Sequence, residues 1–246
     1  MDELIIYWKT RLREIRNYVK IINLRPDNVK IYILNNTILT KRDIDYAYYM
    51  MPQDRFAKMT KFHFFRDKTS LFANELLLQF AMKELYEIEL YRQIDNTWLV
   101  RKSAKYGKPY FADFLGIYYN MSHSGDYSVC AFAEKEIGVD IQRKYDIDPT
   151  IAKNFFHHNE VAYILGFNEK KQLDKFFEVW VMYESFLKAT GVGLSKDFSD
   201  ITFKRYKESF FVMQRFKSLK YEIQLIDFLP EYKMAICKEY DIDWTM

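Results

Sequence analysis

The sequence predicts an α+β protein made of two similar α+β lobes fused as a pseudo-dimer, with an extra N-terminal helix in front of them. Three observations predict it. Each half runs strand, helix, then a hairpin-rich stretch. Two strands in corresponding places, SVCAFA (128–133) and KMAICK (233–238), resemble each other. No Pro-, Gly- or Ser-rich linker separates the halves, so the lobes are expected to pack tightly. The seam falls near residues 134–138, which gives an N-terminal amphipathic helix over 1–28, a first lobe over 29–135 and a second over 136–246. Pockets favour such lobe interfaces.

Each element follows from its local pattern. Leu4, Ile5, Trp8, Leu12, Ile15, Val19 and Ile22 recur at helical spacing with bases between them, so a helix is expected over 4–22, ending before Arg25-Pro26 and packed on the body of the protein. Val29 to Leu34 reads as a strand, and Ser70 to Tyr91 as a long helix. Lys105 to Pro109 (KYGKP) is a turn-rich break. Strands are expected at Ile117–Met121, Tyr127–Ala133 and Ile137–Ile141, the first two joined by a loop, Ser122-His123-Ser124-Gly125-Asp126. Helical patterns return at Thr150–Leu165 and Asp174–Thr190, the second stopped by Gly191 and Gly193. The remainder (ITFKRYK, SFFVMQRF, YEIQLIDF, YKMAICKE) reads as strands.

Composition narrows the function. At 246 residues, 49% hydrophobic and 18% aromatic, the chain is a packed globule with a sizeable core rather than a disordered or fibrous one. A net charge of +3 is too small to imply a nucleic-acid partner, and the aromatics are too apolar in pattern for a base-stacking platform. Basic residues do gather locally, at Arg55, Lys58, Lys61, Arg66 and Lys68, and again at Arg101, Lys102, Lys105 and Lys108; such runs are solvated faces or sites for a multiply charged anion. Cys130 and Cys237 lie in apolar strand contexts without metal-ligand spacing, as expected of a reducing, cytoplasmic setting. The first residues lack a signal-peptide layout, and no apolar run approaches the ~20 residues that span a bilayer, so a soluble protein without a membrane partner is expected.

The chemistry concentrates in two places. Trp180, Glu184 and Lys188 form one row of a helix, and Asp140 ends an apolar strand. An exposed Glu–Lys pair at that spacing gives a helix only ~0.3–0.5 kcal/mol. Phe176, Phe177, Phe186 and Leu187 leave this helix little solvent, however, and a carboxylate in such surroundings needs a cation or strong hydrogen bonds. Two carboxylates with open positions suit Mg²⁺ completed by substrate phosphates. His123, flanked by two serines and a glycine, suits an anionic oxygen. The other histidines form no zinc motif, and neither a P-loop nor a dinucleotide-binding glycine fingerprint is present.

Four segments together resemble the 4′-phosphopantetheinyl transferases of the larger, pseudo-dimeric type: Gly107-Lys108-Pro109, Asn120-Met121-Ser122-His123-Ser124-Gly125, Ile137-Gly138-Val139-Asp140-Ile141, and Trp180 with Glu184-Ser185-Phe186-Leu187-Lys188. Their order and spacing match that family from about residue 29 to 238. The resemblance implies two fused lobes with coenzyme A between them. It also implies transfer of the phosphopantetheine arm to a serine of an acyl or peptidyl carrier protein, with release of adenosine 3′,5′-bisphosphate, by a monomeric enzyme. It assigns Asp140, Glu184 and, through its amide, Gln142 to Mg²⁺. Lys188, His123 and Ser122 fall at the pyrophosphate, Lys108 near the phosphates, and Arg55, Lys58 and Lys61 near the 3′-phosphate. Glu184 is the candidate base, with Lys188 and Asp140 beside it as catalytic residues. This chain has Gln142 where the family usually has Glu and Tyr183 where it has Lys, which lowers the expected metal affinity and positive charge. Those two departures motivate an alternative, a CoA- or carrier-binding protein of the same fold with weakened catalysis.

Overall fold

Strands that are buried on both faces set the architecture. In β2 (Val29–Asn35), Tyr32 and Leu34 enter a core beneath helices, while Val29, Ile31 and Ile33 enter a second core against another sheet. β8 (Tyr127–Ala133) divides the same way: Cys130 and Phe132 face the helices, and Val129, Ala131 and Ala133 face the other sheet. The computed structural model describes residues 2–25, 27–92, 97–114, 116–193, 198–215 and 218–240.

The first lobe is a four-stranded antiparallel sheet in the order β1-β2-β8-β7, with β1 at Lys20–Leu24 and β7 at Tyr118–Ser124. Its helical side carries α4 (Phe65–Tyr86), supported by α1 (Asp2–Asn17), the short α2 (Lys41–Asp45) and α3 (Gln53–Thr60). Two small ribbons, β3 (Tyr91–Arg92) with β4 (Thr97–Trp98) and β5 (Arg101–Ser103) with β6 (Pro109–Phe111), complete it. The second lobe is a five-stranded antiparallel sheet in the order β10-β11-β12-β13-β9. Those strands are β9 (Ile137–Arg143), β10 (Thr202–Tyr206), β11 (Ser209–Met213), β12 (Lys220–Leu225) and β13 (Tyr232–Tyr240). α6 (Glu169–Thr190) and α5 (His158–Leu165) cover its outer face. Sheet membership changes between Ala133 and Ile137. Among the described residues, no helix is long and apolar enough to cross a membrane.

The two sheets face each other through a shared apolar layer. β9 contributes Ile137, Val139 and Ile141 to it, and β13 contributes Tyr232, Met234 and Ile236. The alternate residues of β9, Gly138, Asp140 and Gln142, therefore turn towards α6. Polar side chains of β7 stitch the seam. The Asn120 side-chain oxygen accepts from the Val139 N–H at 3.0 Å, and Ser124 Oγ accepts from the Arg143 N–H at 3.0 Å. Ser122 lies between them, 3.5 Å from the Ile141 nitrogen. An edge strand in each sheet is thus covered without forming a continuous sheet.

Several elements depart from the sequence expectation. The long helix expected over Ser70–Tyr91 runs over Phe65–Tyr86 instead, and Tyr91 pairs in β3. The first helix stops at Asn17, and Lys20–Leu24 pairs with β2 instead, because Val19, Ile21 and Ile22 suit a sheet edge as well as a helix face. α1 still packs on the lobe: Trp8 and Ile15 are buried, and Arg11 donates from Nε and NH2 to Asp43, which also accepts from Tyr7 and Thr40. Thr150–Leu165 is a 3-10 turn over Pro149–Asn154 followed by α5. Lastly, the expected loop at Ser122–Asp126 is mostly strand: β7 continues to Ser124, and Gly125-Asp126 alone makes the turn, with Gly125 at φ +58°.

Candidate active site

That strand extension decides where Ser122 and His123 point. As neighbours in β7 they face opposite sides, Ser122 towards the second lobe and His123 towards α4. Two adjoining groups of side chains result, one at the seam and one in a cleft.

At the seam, β9 runs unusually close to α6. A Cβ at Gly138 would lie 2.0 Å from the Ser185 carbonyl oxygen and 2.3 Å from the Ala189 nitrogen, so only glycine permits the approach. The approach brings Asp140 under the Glu184 and Lys188 side of α6. Lys188 Nζ donates to Asp140 Oδ1 at 2.5 Å and to Ser122 Oγ at 2.9 Å, while Ser122 donates to the same Oδ1 at 2.8 Å. Asp140 is buried, and its Oδ2 has no hydrogen-bond partner among the described residues. Glu184 is half-buried and forms no hydrogen bond or ion pair among the described residues. Burial, followed by the nearby Asp140 charge, pushes its carboxyl above the ordinary value, with Lys188 partly opposing the shift.

A buried carboxylate oxygen without a partner among the described residues therefore lies near a second carboxylate whose ionised form burial disfavours. Gln142 stands two residues beyond Asp140 on the same face of β9, half-buried. Among the described residues no group of three or more His, Cys, Asp or Glu could hold a metal, so zinc-like coordination has no basis. Mg²⁺ makes no such demand, since it binds through one or two carboxylates and keeps waters or phosphate oxygens. The residues fit it.

The cleft has a volume of about 650 Å³ and lies in the first lobe, lined by residues of α3, α4 and β5 to β7. His123 is exposed within it, and its Nδ1 lies 3.2 Å from the Asn74 amide nitrogen. Burial among protein atoms, then the Lys188 charge, lowers the His123 pKa and favours the neutral ring. Arg55 and Arg101 also line the cleft, and both bind the buried Glu75, at 2.8 and 2.5 Å. Lys58 and Lys61 are exposed on α3 and beyond its end; Lys58 is near enough for its charge to lower the His123 pKa.

Two expected site residues stand elsewhere. Lys108 Nζ donates to Glu136, to the Ile137 carbonyl at 3.1 Å and to the Ala189 carbonyl at 2.7 Å. An ammonium has three donors, so Lys108 is committed as a strut joining β9 to the end of α6 and does not offer itself to a phosphate. Tyr183 is fully buried, stacked on Phe156 at 4.8 Å and 6°, with its hydroxyl donating to the Ile201 carbonyl at 2.6 Å. It belongs to the second lobe's core, so its lack of charge does not bear on the phosphates. Ser70, on α4, is buried too, accepting from Asn36. No motif singles out Asn74 and Glu75, while Arg101 belongs to one of the basic runs. The signal was present: a polar Asn-Glu pair inside the apolar run LFANELLL.

Comparison with known proteins converges on one family. Residues 136–237 match the 4′-phosphopantetheinyl transferase superfamily, and residues 39–135 match the 4′-phosphopantetheinyl transferase N-terminal family. The 4′-phosphopantetheinyl transferase Sfp of Bacillus subtilis is 29% identical over 77% of this chain and 82% of its own length. The transferase psf-1 of Bacillus pumilus is 30% identical over 74% of this chain and 76% of its own. The transferase gsp of Aneurinibacillus migulanus reaches 41% identity over 41% of this chain and 42% of its own. With both halves of the fold matched and the two carboxylates and the lysine gathered at the seam, the chain belongs to the 4′-phosphopantetheinyl transferases and is an enzyme of that family.

Proposed function

We propose that this enzyme transfers the 4′-phosphopantetheine arm of coenzyme A to a serine of an acyl or peptidyl carrier protein, releases adenosine 3′,5′-bisphosphate and depends on Mg²⁺. The observation that carries this reading is the unpartnered, buried Asp140 Oδ2 beside a Glu184 carboxyl whose pKa is raised. Asp140 and Glu184, with Gln142 through its amide or a water, would hold the ion, which when bound neutralises charge on the pyrophosphate oxygens. Lys188 supplies a second positive charge to the same phosphates, held in place by Ser122 and Asp140. His123 binds a phosphate oxygen from the cleft side, and Arg55, Lys58 and Lys61 favour the 3′-phosphate end. Glu184 is the candidate to accept the proton of the incoming serine hydroxyl. The enzyme is placed in the cytoplasm as a monomer.

Mass spectrometry of apo carrier proteins incubated with CoA, Mg²⁺ and the enzyme tests the reading. A gain of one phosphopantetheine group is expected. Glu184→Gln is expected to cut the rate at least ~100-fold, while its urea midpoint stays level or rises, because the substitution removes an unpartnered charge. No mass gain across several carriers, or a Gln variant as fast as the parent, would refute it.

A further inference from the structure

α4 carries its polar pair, Asn74 and Glu75, at buried positions. Glu75 is accounted for by Arg55 and Arg101. Asn74 has a different employment. It is 7% exposed, its amide nitrogen sits 3.2 Å from His123 Nδ1, and its Oδ1 has no hydrogen-bond partner. Both residues line the same cleft.

A neutral imidazole has one donor and one acceptor nitrogen. With Nδ1 occupied by Asn74, the nitrogen left for a ligand is Nε2. What Nε2 offers depends on the amide. If the Asn74 N–H donates to Nδ1, the ring proton resides on Nε2, and an N–H donor is presented to an anion. If the amide were turned over, Oδ1 would accept from Nδ1–H, Nε2 would carry a lone pair, and a phosphate oxygen would be repelled. The turned amide also removes the partner of a buried NH₂ group. Buried N–H groups without partners are rarer than under-satisfied carbonyl oxygens, and the arrangement seen leaves the carbonyl oxygen unpaired.

We infer that Asn74 is a positioning residue that holds His123 in the Nε2–H tautomer, so that the neutral ring gives a hydrogen bond to an anionic oxygen in the cleft. The inference rests on the reading of His123 as a phosphate contact given above. It makes the amide of Asn74 part of anion recognition without requiring that it touch the ligand.

Nitrogen-15 NMR of the imidazoles in the full chain, with His123 assigned by loss of its signals in His123→Gln, reads the tautomer directly. The parent should show Nε2–H, and Asn74→Asp should place a proton on Nδ1. Asn74→Leu should give mixed tautomers and weaken CoA binding about 5-fold, as the loss of one oriented hydrogen bond would. Added to His123→Gln, the same substitution should cost nothing further. An Nδ1–H ring in the parent, a bare Nδ1 in Asn74→Asp, or an equal loss of affinity in the His123→Gln background would each overturn the inference. Unchanged CoA affinity in His123→Gln alone would instead refute the phosphate contact, whatever tautomer the spectra show.

Discussion

The two long helices, α4 and α6, are both 22 residues long, and each ends on a residue in the left-handed region, Glu87 at φ 58° and Gly191 at φ 63°. Towards the site they treat polar side chains in opposite ways. α4 pairs its buried charge, Glu75, with two arginines and sets the Asn74 amide against a histidine, so that only the neutral Asn74 Oδ1 lacks a partner among the described residues. α6 presents Glu184 with none, beside an Asp140 that has one oxygen unpaired. Buried charge without a partner is costly, and proteins keep it where function requires it. The difference divides the labour: the first lobe fixes the walls of the cleft in advance, and the second stores an electrostatic demand that the proposed cation would relieve.

Substitutions can break or sharpen this contrast. The largest effect is expected at Tyr183→Lys. It removes a stacked buried ring and puts an ammonium in the second core, so stability in urea should fall by about 4 kcal/mol, without faster transfer. A stable, faster variant would place position 183 at the site and reverse the correction made here. Next comes Glu75→Gln, which leaves two arginines beside a neutral amide and should cost about 3 kcal/mol. A Glu75→Gln variant as stable as the parent, as expected of Glu184→Gln, would erase the distinction between the helices.

The smallest effect is expected at Asp43, which anchors α1. Burial pushes this carboxyl up, but the Arg11 pairing and the hydrogen bonds from Thr40 and Tyr7 outweigh it and leave it below its ordinary value of 3.8. A depressed folded-state value contributes stability above the unfolded value and loses it as pH falls through the folded one. Asp43→Asn should therefore be less stable than the parent by about 2 kcal/mol at pH 7, with the gap closing below pH 4. Paired urea titrations at pH 7 and pH 3 check it, and a gap at pH 3 no smaller than at pH 7 counts against the assignment.

Much of this was legible in the sequence. The apolar strands, the capped helix ending at Gly191 and the convergence of Asp140, Glu184 and Lys188 followed from pattern and spacing. What escaped did so for physical reasons. Val19 and Ile22 fit a helix face and a sheet edge equally, and only pairing with β2 decides between them. Ser122-His123-Ser124 has the composition of a turn, yet the shared apolar layer draws it into β7. Tyr183 is next to Glu184 in sequence, but one helical step turns it by about 100° into the core. Lys108 belongs to a basic run whose charge is legible, whereas the three acceptors that claim its ammonium come from separate segments.

The seating of β9 has a consequence for synthesis. Its partner in the sheet is β13, last of the described strands, with Ala235 opposite Asp140. On the ribosome, Asp140 emerges well before the strand that holds it. Until β13 arrives, Ile31, Ile33, Val129 and Ala131 lack the surface that covers them. A nascent chain in that interval leaves part of this apolar layer without the residues of β13 that complete it. The seam where the reaction is proposed to occur is thus complete only once β13 has been made.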